Sequence, residues 1–145
     1  MTAPRGALYT PDLLALAVSL ADSPLDPALS LRGEARSSTC GSIVALGCEV
    51  DAGGRIERVG VRASACAVGQ ASTALFVRSA VGRDCAEIAV AREDLRAWLA
   101  GSGEAPEWPG LAVLDPARAY PARHGAIVLA WDAALAALSK ARAPG

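Results

Sequence analysis

The chain has 145 residues, with 14 basic against 15 acidic side chains, a formal charge of -1, and a composition that is 52% hydrophobic and 20% charged. This describes one folded domain with a hydrophobic core and excludes a disordered chain. No basic patch stands out, and three Trp, two Tyr and one Phe offer little stacking surface, so nucleic acid is not an expected partner.

The first apolar stretch, Leu13 to Ala21, is too short to span a bilayer. Only Arg5 precedes it as a basic residue, and Asp12 and Asp22 bracket it, which argues against a signal peptide. It reads as a helix. Thr10 caps it, Pro11 takes the first position, and Leu13, Leu14, Ala17, Val18 and Ala21 form the expected apolar stripe. No membrane association is expected. Four cysteines at wide spacings do not make a disulfide framework, and a cytoplasmic protein with reduced thiols is the simplest expectation.

A Pro-rich connection leads to an extended run, and Leu29 to Thr39 is a candidate strand. Val44, Leu46, Cys48 and Val50 alternate along the next strand, and Val59, Val61 and Ala63 along a third. The "DAGG" between them supplies a hairpin turn. From Ala67 the period becomes helical and runs to Gly82. A second helix is capped near Asp84 and stopped by Gly101, with Ile88, Leu95, Trp98 and Leu99 on one face. "EAPEWPGLAVLDPARAYPAR" is irregular with room for one short helix, and a last helix begins at His124. Strands first and helices afterwards predict an α+β fold: one domain over 1–145, a small antiparallel sheet with helices packed on one face, and flexible ends at 1–8 and 141–145.

Two of the thiols read as packing. Cys48 is in phase with the buried face of its strand, and Cys85 sits one turn before Ile88. Cys40 and Cys66 differ. Cys40 precedes Gly41 where the chain enters the hairpin, and a neighbouring glycine lets backbone approach a ligand closely. Cys66 leaves the hairpin and opens the Ala-rich helix, where free N–H groups favour a thiolate. The hairpin brings both residues to one end of the sheet. Such a pair serves as metal ligands, as a redox pair, or as ordinary loop residues, and spacing does not choose among them. There is no C-x-x-C knuckle.

"STCGSIVALGCEVDAGGRIERVGVRASACAVGQAS" resembles the core of the NifU/IscU/SufU iron–sulfur scaffold proteins, in which Cys-Gly-Asp opens a strand and a second cysteine begins a helix after a hairpin. "YPARHGAIVLAW" resembles the stretch that carries their third cysteine. The likeness runs from about Tyr9 to Leu138. It implies a SufE/IscU-like fold and a scaffold or sulfur-acceptor protein of iron–sulfur cluster assembly, not an enzyme. Its implied partners are a cysteine desulfurase and other assembly proteins, and its implied cargo is an iron–sulfur cluster or zinc. Residue by residue, Cys40 matches the first family cysteine and Cys66 the second. The aspartate position holds Ser42, and the third cysteine falls at Ala126. His124, the only histidine, is then the nearby candidate for a third ligand, although the histidine of some family members matches Gly125. Gln70 is a second polar residue placed to face the same spot. Against a cluster site stand two further readings: a metal-free interaction module of the same fold, and a persulfide carrier that uses one reactive thiol, with Cys66 the thiol expected to react fastest.

Overall fold

The computed structural model describes residues 8–141. Of the expected flexible ends, 1–7 and 142–145 lie outside the described residues. Leu8 is buried, and Ala141 closes the last helix.

Helix α1 (Pro11–Ser19) starts as its sequence dictates: Leu13 N–H donates to Thr10 Oγ1 at 3.2 Å, with Pro11 in the first turn. The expected stripe does not hold. Leu13 and Leu16 are buried, whereas Leu14 is 44% and Val18 76% exposed. The helix is short, and its packing against α2 needs only one narrow seam. A single turn of 3-10 helix at Leu20–Asp22 follows.

Strands β1 (Leu31–Arg36), β2 (Ile43–Val50) and β3 (Ile56–Ser64) form an antiparallel sheet in that order. Gly33 pairs with Leu46, and Leu46 with Val61. Asp51 closes the β2–β3 turn by accepting the N–H groups of Gly53 and Arg55, and Gly54 takes a φ of 80°. Helix α5 (Leu129–Ala141) lies across β1 and β2 so closely that a Cβ on Gly33 would stand 2.1 Å from Ala133 O. On the other face, paired Gly47 and Gly60 leave a shallow seat in which the buried Leu29 rests. The opposite face is therefore partly covered by the Pro24–Leu29 connection. Leu29 itself serves as a plug, and the strand begins two residues later than expected.

Helix α2 (Ala67–Ala80) packs against β3 and α1. Helix α3 (Cys85–Leu99) opens on a full capping box: Asp84 accepts from Glu87 N–H, and Glu87 accepts from Asp84 N–H. Its face of Ile88, Leu95, Trp98 and Leu99 is buried as its spacing predicts. Phe76, Trp108 and Trp131 meet with ring centroids 5.2 Å apart at the centre of the core. The irregular segment winds into a 3-10 stretch at Leu111–Ala119 and leads into α4 (Pro121–Ile127). The expected single last helix is thus two. Pro121 starts α4 three residues before His124, and the chain breaks at Val128, where the buried Ser72 Oγ donates to Ile127 O at 2.6 Å. No helix among the described residues is long and apolar enough to cross a membrane.

Candidate functional site

The β1–β2 connection is a tight loop. Ser37 N–H donates to Ser42 O at 2.8 Å and Gly41 N–H to Ser37 O at 3.1 Å, with Gly41 at a φ of 72°. That positive φ requires a glycine, so "CG" places Cys40 at the tip, exposed. Ser37 and Ser42 are buried beneath it. Cys40 Sγ lies 3.4 Å from Ser37 Oγ and 3.1 Å from Ser42 Oγ, and Ser37 Oγ is 3.0 Å from Thr39 Oγ1. Hydrogen bonding with the Ser37 hydroxyl, to which the thiol donates, and then with that of Ser42 pulls the Cys40 thiol below its ordinary value. Partial burial opposes this, and the positive charge of Arg123 assists.

Ile43 pairs with Ser64, so the Cys40 loop and the exit of β3 share one end of the sheet. Cys66 stands there as the N-cap residue of α2, half-buried and packed against the core, with no capping bond from its side chain. Helix α4 abuts both. Ala126 is fully buried beside the first turn of α2: a Cβ on Gly69 would meet Ala65 Cβ at 3.0 Å and Ala126 Cβ at 3.1 Å. One residue earlier, Gly125 abuts Ser37 and Thr39. Ala126, to which the resemblance assigns the third-ligand position, thus lies at this end of the sheet and carries a methyl group.

His124 lies toward α3. Its Nε2 lies 3.1 Å from Arg118 O, and its ring lines a cavity of about 250 Å³ with Arg96, Leu99 and Ala100 at the end of α3. Successive residues of a helix point about 100° apart, so with Gly125 toward Ser37, His124 turns to α3 instead. Gln70 also looks elsewhere: its Nε2 donates to Ala65 O at 2.9 Å, tying down the approach to Cys66. Among the described residues, no three of His, Cys, Asp or Glu converge where they could hold a metal ion. Zinc and iron–sulfur clusters favour about four strong ligands. Two thiols, the hydroxyl of Ser42 and the methyl of Ala126 do not form a closed site for either.

Arg123 escaped the sequence reading, although the "PAR" that contains it was recognised. Its Nη2 donates to Tyr9 Oη at 3.3 Å, and its charge acts on Cys40. The run "RSSTCGS" is a second signal, since it sets the Ser37 and Ser42 hydroxyls against one thiol.

No protein-family model matches the chain, and no curated protein matches its sequence. Solved structures do. A nitrogen-fixing NifU-like protein (N-terminal) from Brucella abortus superposes with a TM-score of 0.85 at 25% identity, over 94% of this chain and 96% of that one. This chain has the NifU-like fold. A putative iron–sulfur cluster assembly scaffold protein for the SUF system from Fervidobacterium islandicum shares that NifU-like fold, with a TM-score of 0.75 at 20% identity, over 93% of this chain and 99% of that one.

The other thiols are packing residues, as their phases predict. Cys48 is fully buried, and burial, with the neighbouring charge of Glu49, pushes it up to about 11. Cys85 is half-buried against the core. The Cys48 shift has a signed consequence. Between an ordinary thiol value of 9.0 and about 11, the unfolded chain loses this proton and the folded one keeps it. The contribution is complete below pH 9 and is lost as pH rises toward 11, by about 3 kcal/mol at roughly 1.4 kcal/mol per unit. Urea titrations across that range should show the loss in the wild type and a flatter profile in Cys48→Ala.

Proposed function

We propose that the protein serves iron–sulfur cluster assembly as a scaffold-fold sulfur acceptor that takes a persulfide on Cys40. The NifU-like fold supports the general role. The observation that carries the specific one is the surroundings of Cys40: two buried hydroxyls on Sγ and a guanidinium charge acting on it. All three favour an anionic sulfur. A carboxylate at position 42 would repel a thiolate and attract a metal cation. The serine there does the reverse, donating to sulfur without adding charge.

The step needs no metal. The Cys40 thiolate attacks the outer sulfur of a cysteine persulfide on a desulfurase partner. A new S–S bond forms at Cys40, the partner's S–S bond breaks, and the partner's cysteine leaves as a thiolate. One sulfane sulfur moves, with no net gain or loss of electrons. The hydroxyls that held the thiolate then lie beside the new persulfide, and the charge of Arg123 suits its anion. Cys66, at the same end of the sheet, is the second thiol to which sulfur or an assembling cluster could pass, the cluster being cargo whose remaining ligands come from a partner.

The test is anaerobic incubation with a cysteine desulfurase and cysteine, read by mass spectrometry of the thiol-bearing peptides. One added sulfur atom is expected on Cys40 in the wild type and in Cys66→Ser, and none in Cys40→Ser. Sulfur found on Cys66 alone would overturn the assignment. Stoichiometric zinc or iron that requires both thiols would instead restore a metal-holding role.

A further inference from the structure

Gly125 is a glycine that its own helix does not ask for. It lies inside α4, its φ is not positive, and a glycine in mid-helix is unfavourable relative to alanine. What the missing side chain allows is close approach. A Cβ here would stand 2.6 Å from Ser37 Oγ, 3.3 Å from Thr39 Oγ1 and 3.5 Å from Ser37 Cβ. Contacts of 2.6 Å are closer than real Cβ atoms tolerate. The Ser37 backbone is fixed, with its N–H bound to Ser42 O and its carbonyl accepting from Gly41, so relief comes from turning the hydroxyl out of its place beside Cys40.

Resting on the assignment of Cys40 as the sulfur-accepting thiol, we infer that Gly125 is a positioning residue that lets α4 hold the Ser37 hydroxyl against Cys40 Sγ. The chain of contacts is short. Gly125 meets Ser37 Oγ, and Ser37 Oγ is 3.4 Å from Cys40 Sγ and 3.0 Å from Thr39 Oγ1. Any side chain at 125 must push that hydroxyl aside or lift α4 from the loop. Lifting α4 would also carry off Arg123, two residues earlier on the same helix. The stretch "ARHG" thus acts on the thiol twice, through a charge and through a gap.

A double-mutant cycle tests this. Gly125→Ala, Ser37→Ala and the pair are compared in the full chain by the rate of Cys40 alkylation with iodoacetamide at one fixed pH, and by the urea midpoint. Ser37→Ala should slow alkylation severalfold, because the hydrogen bond that holds the thiol below its ordinary value is lost, and Gly125→Ala should do the same. In the pair, the hydroxyl that collides with the new methyl is gone. The pair should label no more slowly than Ser37→Ala and should regain part of the urea midpoint lost in Gly125→Ala. Wild-type labelling in Gly125→Ala would overturn the inference, and so would rate losses that multiply in the pair. If Gly125→Ala does not fold, the pair compared with Ser37→Ala still decides: equal rates uphold the coupling and a further loss rejects it. Fast, coupled labelling of Cys40 without sulfur uptake from the desulfurase would overturn the proposed function and leave this inference standing.

Discussion

Gly33→Ala is expected to destabilise the fold by roughly 3 kcal/mol, the upper part of the range for overpacking. The reason is the nature of the colliding atoms. The new methyl would lie 2.1 Å from Ala133 O and 2.5 Å from Ala137 N. Both are backbone atoms of α5, so no rotamer change relieves the contact. Either the helix moves off β1 or the edge strand bends away, and both open the core around Leu46 and Ala137. Gly54→Ala is the control. Open space surrounds that position, and only its φ of 80° is costly, which amounts to about 1 kcal/mol. Urea midpoints of the two variants, with the slope held equal, should separate by that difference. A Gly33 variant as stable as the Gly54 variant would mean that α5 does not rest on β1 as described.

Much of this architecture was legible because local signals were strong. Thr10-Pro11, Asp84 with Glu87, and the "DAGG" turn each satisfy backbone groups within a few residues, so the sequence alone places them. The alternation of Val44, Leu46 and Cys48 is a period-2 signal, and it marks the face that meets α5, although Ala45 and Gly47 on the other face are buried too. What failed depends on tertiary partners. The α1 stripe failed because composition cannot say which of five apolar positions meets α2. The break at Val128 escaped because Ser72, 55 positions from Ile127 in sequence, makes the bond there. The contact of His124 Nε2 with Arg118 O, six residues back across the start of α4, has no signal in the sequence. The site divides the same way. Cys40 and Cys66 at one end of the sheet follow from a hairpin count. That Ser37 and Ser42 flank one sulfur, and that Gly125 backs Ser37, needed the fold.

The substitution of Ser42 for the family aspartate then acquires a physical meaning beyond loss. A nest of hydroxyls is a weak set of metal donors and a good environment for a thiolate. Ala126 adds to this by filling a buried wedge between α2 and α4 instead of offering a third sulfur. On the proposed reading, both departures leave one sulfur exposed on a loop tip instead of a set of ligands around a cation.

The thiols should therefore separate widely in reactivity. Near pH 8, Cys40 should react with iodoacetamide at least about 100-fold faster than Cys48, since a thiol at the ordinary 9.0 is about one part in ten ionised there and one pushed up to about 11 only about one part in a thousand. Full burial of Cys48 widens the gap, because the reagent must wait for the fold to open. Cys66, half-buried and packed against the core as a cap residue, should fall between the two. The pH profile of Cys40 has a defined sign. Its thiol is held below the ordinary 9.0, so its rate should level off at a lower pH than that of a free thiol. Removing the Ser37 hydroxyl should move the profile upward most, removing that of Ser42 next, and Arg123→Gln least, the order in which these groups act on the sulfur. Because only the thiolate attacks, each upward move slows the reaction at neutral pH while the plateau at high pH is kept. Equal and slow labelling of Cys40 and Cys66, with an ordinary profile for Cys40, would show that the hydroxyl nest does not activate the sulfur, and the acceptor role would lose its chemical basis.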